Sequence, residues 1–140
     1  MKAELYLIQI RMSERKIENK IAEIQRLETM ADNISPHLSE VKVSSTPDPH
    51  RAQEVWSRLV DAQDELINEV DALTDLKKEV TRTLEKLPPS EYDVLHRIYV
   101  RGQSVQKVAD ETHYSRPTVY KIKSRGIEML QKILDSDERV

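Results

Sequence analysis

Apolar residues recur along this chain at three- and four-residue steps and seldom alternate, a pattern that predicts helices and no sheet. From Ala3 to Ile34 the positions Leu7, Ile10, Ile17, Ile21, Ile24 and Ala31 trace one face, with Leu27 and Ile34 beside it and Glu14 and Glu28 interrupting it. A second helix is expected from His50 to Leu87. Its seam, Ala52, Trp56, Leu59, Gln63, Leu66, Val70, Leu73, Lys77, Val80, Leu84 and Leu87, alternates steps of four and three across five heptads. Val55, Val60, Ala62 and Ile67 flank that seam and widen the apolar face beyond what one neighbour needs. The two helices are therefore expected to pair antiparallel as a coiled-coil arm, and the surplus apolar surface to join two copies as a homodimer. Residues 35–49, SPHLSEVKVSSTPDP, hold three prolines and four serines and read as the connector.

Pro88 and Pro89 end the arm, since proline lacks a donor and clashes with the preceding turn. Ser90 is then expected to cap a third helix, Glu91 to Arg101, with Asp93 completing a capping box and Gly102 stopping it. The stretch from Ser104 to Leu130 reads as two helices sharing a seam across a tight turn. Val105, Val108 and Ala109 supply the first side of that seam. Tyr114, Val119, Ile122, Gly126, Ile127 and Leu130 supply the second. Ser115 is placed to cap the second helix, Tyr114 to staple onto Val119, and Pro117 to sit in the first turn, where its missing N–H costs nothing. His113 occupies the turn position that needs a positive φ. A glycine inside a helix costs about 1 kcal/mol relative to alanine, so Gly126 implies close packing against another helix. The tail from Asp135 is expected to fray. The fold class is thus all-α: a long antiparallel helical hairpin over residues 1–87, with its connector at 35–49, then a three-helix helix-turn-helix domain over residues 88–140.

Charge locates the chemistry. The chain carries a net −3. Residues 1–87 hold 13 Lys or Arg against 17 Asp or Glu, a net −4, whereas residues 113–132 hold five Lys or Arg against one Glu, a net +4. Helical geometry puts Arg116, Thr118, Tyr120, Lys121, Ser124 and Arg125 outside the seam or on its shoulders. Arg and Lys can bond guanine edges in the major groove, and an aromatic ring can touch a thymine methyl. Arg116, Tyr120 and Lys121 are accordingly the expected base readers. Ser104, Lys107, Lys123, Ser124, Arg125 and Lys132 are expected at phosphates, which position the protein without reading sequence.

Other chemistry finds no support. There is no cysteine, and the four histidines, at positions 37, 50, 96 and 113, share no metal-ligand spacing, so no metal or cofactor is expected. No phosphate-cradling glycine loop is present, and no enzyme is expected. No apolar run approaches the roughly 18 residues of a membrane span, and the N-terminal MKAELYLIQIRMSERK is too charged for a signal peptide, so the expected location is the cytoplasm.

The segments VLHRIYVRG, SVQKVADETHYS and VYKIKSRGIEML together resemble the fourth, promoter-reading domain of bacterial sigma factors. With the YLIQIR helix, the Ser/Pro-rich break and the heptad helix, the chain is similar to the short sigma-like regulators of phages and prophages in Gram-positive bacteria, the group of the RinA and ArpU late-gene activators. The resemblance implies double-stranded DNA as partner, adds Pro117 to the base-contacting set with Arg116, Tyr120 and Lys121, and suggests a contact with RNA polymerase. Pro117 departs from the acidic residue usual there, so the sequence read should differ. The alternative expectation is a protein-binding adaptor that acts on a repressor, a sigma factor or RNA polymerase through its acidic arm.

Overall fold

The computed structural model describes residues 1–34 and 49–138. The protein is all-α, with no strand among the described residues. Among the described residues five helices follow one another: α1, Ala3–Ile34; α2, Pro49–Leu84; α3, Pro89–Leu95, continued by a π-helical turn over His96–Val100; α4, Val105–Thr112; and α5, Arg116–Glu138. The connector expected at residues 35–49 lies outside the described residues except for Pro49, which opens α2.

The chain forms two compact units, one of residues 1–13 and 73–140 and one of residues 14–72. In the first, Ala3, Tyr6, Leu7 and Ile10 of α1 share a core with Val80 and Leu84 of α2, Leu87, Leu95, Val100 and Leu130. The Tyr6 hydroxyl meets the Thr83 hydroxyl at 2.9 Å, which satisfies a polar group at the edge of that core. A second cluster joins Val94 and Ile98 to Val108 and Ala109 of α4 and Val119 and Ile122 of α5. In the other unit, Ile24 and Leu27 of α1 bury against Leu59 and Ala62 of α2, with Met30 and Leu66 packed beside them, and Lys20 pairs with Glu65.

The expected seam of α2 holds at Leu59, Leu66, Leu73, Val80, Leu84 and Leu87 and departs in its N-terminal half. Val55 and Ala62, expected as flanks, are buried at 4% and 2% exposure, whereas Trp56, an expected seam residue, keeps 51% of its surface and Gln63 and Val70 are also exposed. Two interleaved apolar stripes run along this helix. Leu59 and Ala62 bury against α1, Val55 is buried ahead of them, and the bulkier Trp56 is left outward. On α1, Leu27 joins the seam and Ile21 leaves it, 40% exposed.

Helix ends differ in three places. α2 stops at Leu84, and the turn to Leu87 is closed by Lys86 N–H to Thr83 O (3.2 Å) and Leu87 N–H to Leu84 O (2.9 Å). The residue before a proline avoids the helical region, so the helix unwinds ahead of Pro88. Ser90 does not cap α3. Pro88, extended at φ −57° and ψ 155°, takes the cap position and Pro89 the first helical one, where its fixed φ fits and no N–H is needed. The Ser90 hydroxyl donates instead to Glu91, and the Asp93 carboxylate accepts from Arg97. The tail does not fray before Glu138: the Met1 amine pairs with Glu138, and Gln131 bonds Ala3 N–H at 2.8 Å and Asp135 at 3.1 Å.

Candidate nucleic-acid interface

Three local devices fix how α5 leaves α4. Ser104 caps α4 by accepting the Lys107 N–H at 3.2 Å. His113 ends that helix at φ 63° and ψ 17°, the left-handed conformation its turn position requires. Ser115 then caps α5 by accepting the Thr118 N–H at 3.3 Å, and the two hydroxyls meet at 2.8 Å. Across the turn, Val108 and Ala109 pack on Val119 and Ile122, each large apolar side chain contributing about 1.5 to 3 kcal/mol. Tyr114, expected as a staple, remains 40% exposed. Arg97 ties the bundle from the side, binding both Asp93 carboxylate oxygens at 3.0 and 3.1 Å and reaching Glu111 of α4.

The consequence is a fixed outer face on the first turns of α5. Arg116, Pro117, Tyr120, Lys121 and Ser124 are all exposed, while Val119, Ile122 and Gly126 are buried opposite them. No carboxylate among the described residues pairs with Arg116 or Lys121. Those two cations and the half-exposed Tyr120 ring stand side by side, able to bond or stack on a ligand.

The expected phosphate set divides. Ser104, Lys107 and Lys132 are exposed. Lys123 is half-buried, its Nζ lying 5.8 Å from the centre of the Tyr99 ring, a cation–π arrangement that turns the ammonium toward its own core. Arg125 stays 53% exposed while its Nε lies 3.8 Å from Glu91 Oε1.

Glu91 is the one residue of this site that the sequence reading passed over. It is the only buried charged side chain among the described residues. The Ser90 hydroxyl, at 2.7 Å from Oε2, and the Arg125 guanidinium hold its carboxyl below the ordinary carboxylate range against the opposing effect of burial. The signal was present: Glu91 stands four residues before Leu95 and three before Val94, on the face that packs against α5. Reading it as the first residue after a serine cap hid that face.

Gly126 explains how the carboxylate reaches α5. A Cβ there would lie 2.9 Å from Leu95 Cδ1, 3.2 Å from Leu95 Cγ and 3.4 Å from Glu91 Cβ, so any larger residue would force Leu95 or α3 to shift.

A family model described as "Protein of unknown function (DUF1492)" matches residues 32–131, well over half of the chain. The protein belongs to the DUF1492 family. The DUF1492 match takes in α2, α3, α4 and most of α5, and with them every candidate contact except Lys132. No curated protein and no solved structure matches the chain. Among the described residues no group of His, Asp and Glu could hold a metal ion, and no helix is long and apolar enough to cross a membrane.

Proposed function

We propose that this DUF1492 chain is a sequence-specific DNA-binding transcription regulator of the phage or prophage kind, acting in the cytoplasm without cofactor or catalysis. In this reading α4, its turn and α5 act as a helix-turn-helix, and the N-terminal half of α5 enters the major groove. One observation carries it: Arg116, Pro117, Tyr120 and Lys121 share an exposed face on a helix whose opposite side is locked by Val119, Ile122 and Gly126. Groove reading needs side chains whose positions are fixed before contact, and a helix capped by Ser115 and buried along one side supplies that. Two copies would associate through the exposed Trp56, Val60 and Ile67 stripe and so present two reading heads. A contact with RNA polymerase belongs to the same reading and is supported by the sigma-like resemblance alone.

The test is selection of bound fragments from a random duplex pool, then a mobility-shift titration of the selected site with Arg116→Ala and Lys121→Ala combined. Loss of the specific shift with unchanged helical circular dichroism is expected; unaltered binding sinks the assignment. Affinity should also fall steeply with salt, each phosphate neutralised contributing a slope of about −0.9 in log–log form.

The exposed apolar side chains of α1 favour a second reading. Leu5 and Ile8, with Ala3 and Ile127, line an open groove, and Met12 continues the same face. Such a surface suits an adaptor that docks another protein. Absence of any salt-sensitive duplex binding at micromolar protein would decide for the adaptor.

A further inference from the structure

Arg125 has the exposure of a phosphate-contacting residue, yet an unpaired arginine on a helix shoulder samples many rotamers. Here it is not left unpaired. Its Nε faces Glu91 Oε1 at 3.8 Å, and the other carboxylate oxygen, Oε2, is occupied by the Ser90 hydroxyl at 2.7 Å. The carboxylate has little room to swing away, since Glu91 is 3% exposed and lies beside Gly126, the residue next to Arg125. A buried carboxylate is costly unless hydrogen-bonded and paired. The chain keeps one here, on the helix that backs the basic face.

Resting on the DNA-binding reading above, we propose that Glu91 is a positioning residue: it fixes the Arg125 side chain from behind so that the remaining guanidinium N–H groups project to a backbone phosphate. A guanidinium has five donors, and the 3.8 Å approach of Nε to Oε1 is an ion pair that uses none of them as a hydrogen bond, so the terminal nitrogens stay available to the ligand while the charge attraction biases where the side chain stands. The assignment makes a prediction of unusual sign. Removing a negative charge from a DNA-binding face should, by Coulomb's law alone, tighten binding. If Glu91 holds Arg125 in place, removing that charge weakens it.

The experiment uses the full chain and its selected duplex, titrated for the unaltered protein, Glu91→Gln, Arg125→Ala and the double variant. Thermal melts are recorded alongside, and Ser90→Ala serves as a variant that loosens the carboxylate without removing its charge. Expected are a loss of about tenfold for Arg125→Ala, the scale of one charge-assisted hydrogen bond, a smaller loss for Glu91→Gln and for Ser90→Ala, and no further loss when Glu91→Gln is added to Arg125→Ala. A duplex carrying a neutral methylphosphonate at the contacted position should erase the difference between the unaltered protein and Glu91→Gln. Equal or tighter binding by Glu91→Gln overturns the inference, and so does an affinity loss that persists undiminished in the Arg125→Ala background, which marks Glu91 as a structural tie only. Failure of the unaltered protein to bind any duplex overturns the DNA reading itself and this inference with it, a result distinct from binding that ignores Glu91.

Discussion

Replacing Gly126 by alanine sets two opposed effects of similar size against each other, and the structure decides between them. Alanine is the better helix former by about 1 kcal/mol. Its Cβ, however, would stand 2.9 Å from Leu95 Cδ1 and 3.2 Å from Leu95 Cγ, and Leu95 is wholly buried in the core shared with Val80, Leu84 and Leu130. The leucine cannot rotate into solvent, so either α3 shifts or Leu95 leaves its rotamer, and overpacking of this kind costs about 1 to 3 kcal/mol. The net is a destabilisation of about 1 kcal/mol. The decisive form is a double-mutant cycle read by urea unfolding, followed through helical circular dichroism. Leu95→Ala alone should cost about 2 to 5 kcal/mol. In that background Gly126→Ala should change sign and stabilise by about 1 kcal/mol, because the clashing atoms are gone and Glu91 Cβ, at 3.4 Å, is an ordinary neighbour. Gly126→Ala that stabilises the unaltered protein, or that destabilises both backgrounds equally, refutes the close-approach argument.

Three further outcomes follow from particular side chains. His113→Gly should be tolerated and His113→Val should cost about 1 to 2 kcal/mol in thermal unfolding, since φ is 63° and a β-branched residue is strained there. Burial, with Arg101 and Arg97 nearby, lowers the His96 pKa from its ordinary 6.5; the sign is that the unfolded chain takes up the proton first, so stability is full above about 6.5 and declines as pH falls toward the folded value. A melting series from neutral to mildly acidic pH should show that decline, and His96→Gln should flatten it. At protein concentrations low enough to keep two copies apart, Trp56→Ala should move stability by no more than about 0.5 kcal/mol, whereas Val55→Ala should cost more than about 1 kcal/mol; comparing their melting temperatures there checks which α2 stripe faces α1.

How much of this was legible along the chain depends on whether a residue's role is set by its neighbours in sequence. The helices, the Ser115 cap, the left-handed His113 and the need for space at Gly126 follow from local backbone rules, and all of them could be read before any packing was known. Residue type and helical spacing also put Arg116, Tyr120 and Lys121 on one face, because 3.6 residues per turn fixes which side chains stand together, while Pro117 joined them through the sigma-like resemblance alone. Which of two interleaved apolar stripes on α2 turns inward was not local. Trp56 and Val55 are both apolar to a heptad count, and which of them is buried is settled only by packing in three dimensions. The same holds for Glu91. A carboxylate four residues after the turn that ends α2 at Leu87 looks like a solvated helix start, and its partner is thirty-four positions away in Arg125. Tertiary structure decided that pairing because it brought α3 beneath a glycine of α5, where a charge had to find an opposite charge or not be buried at all.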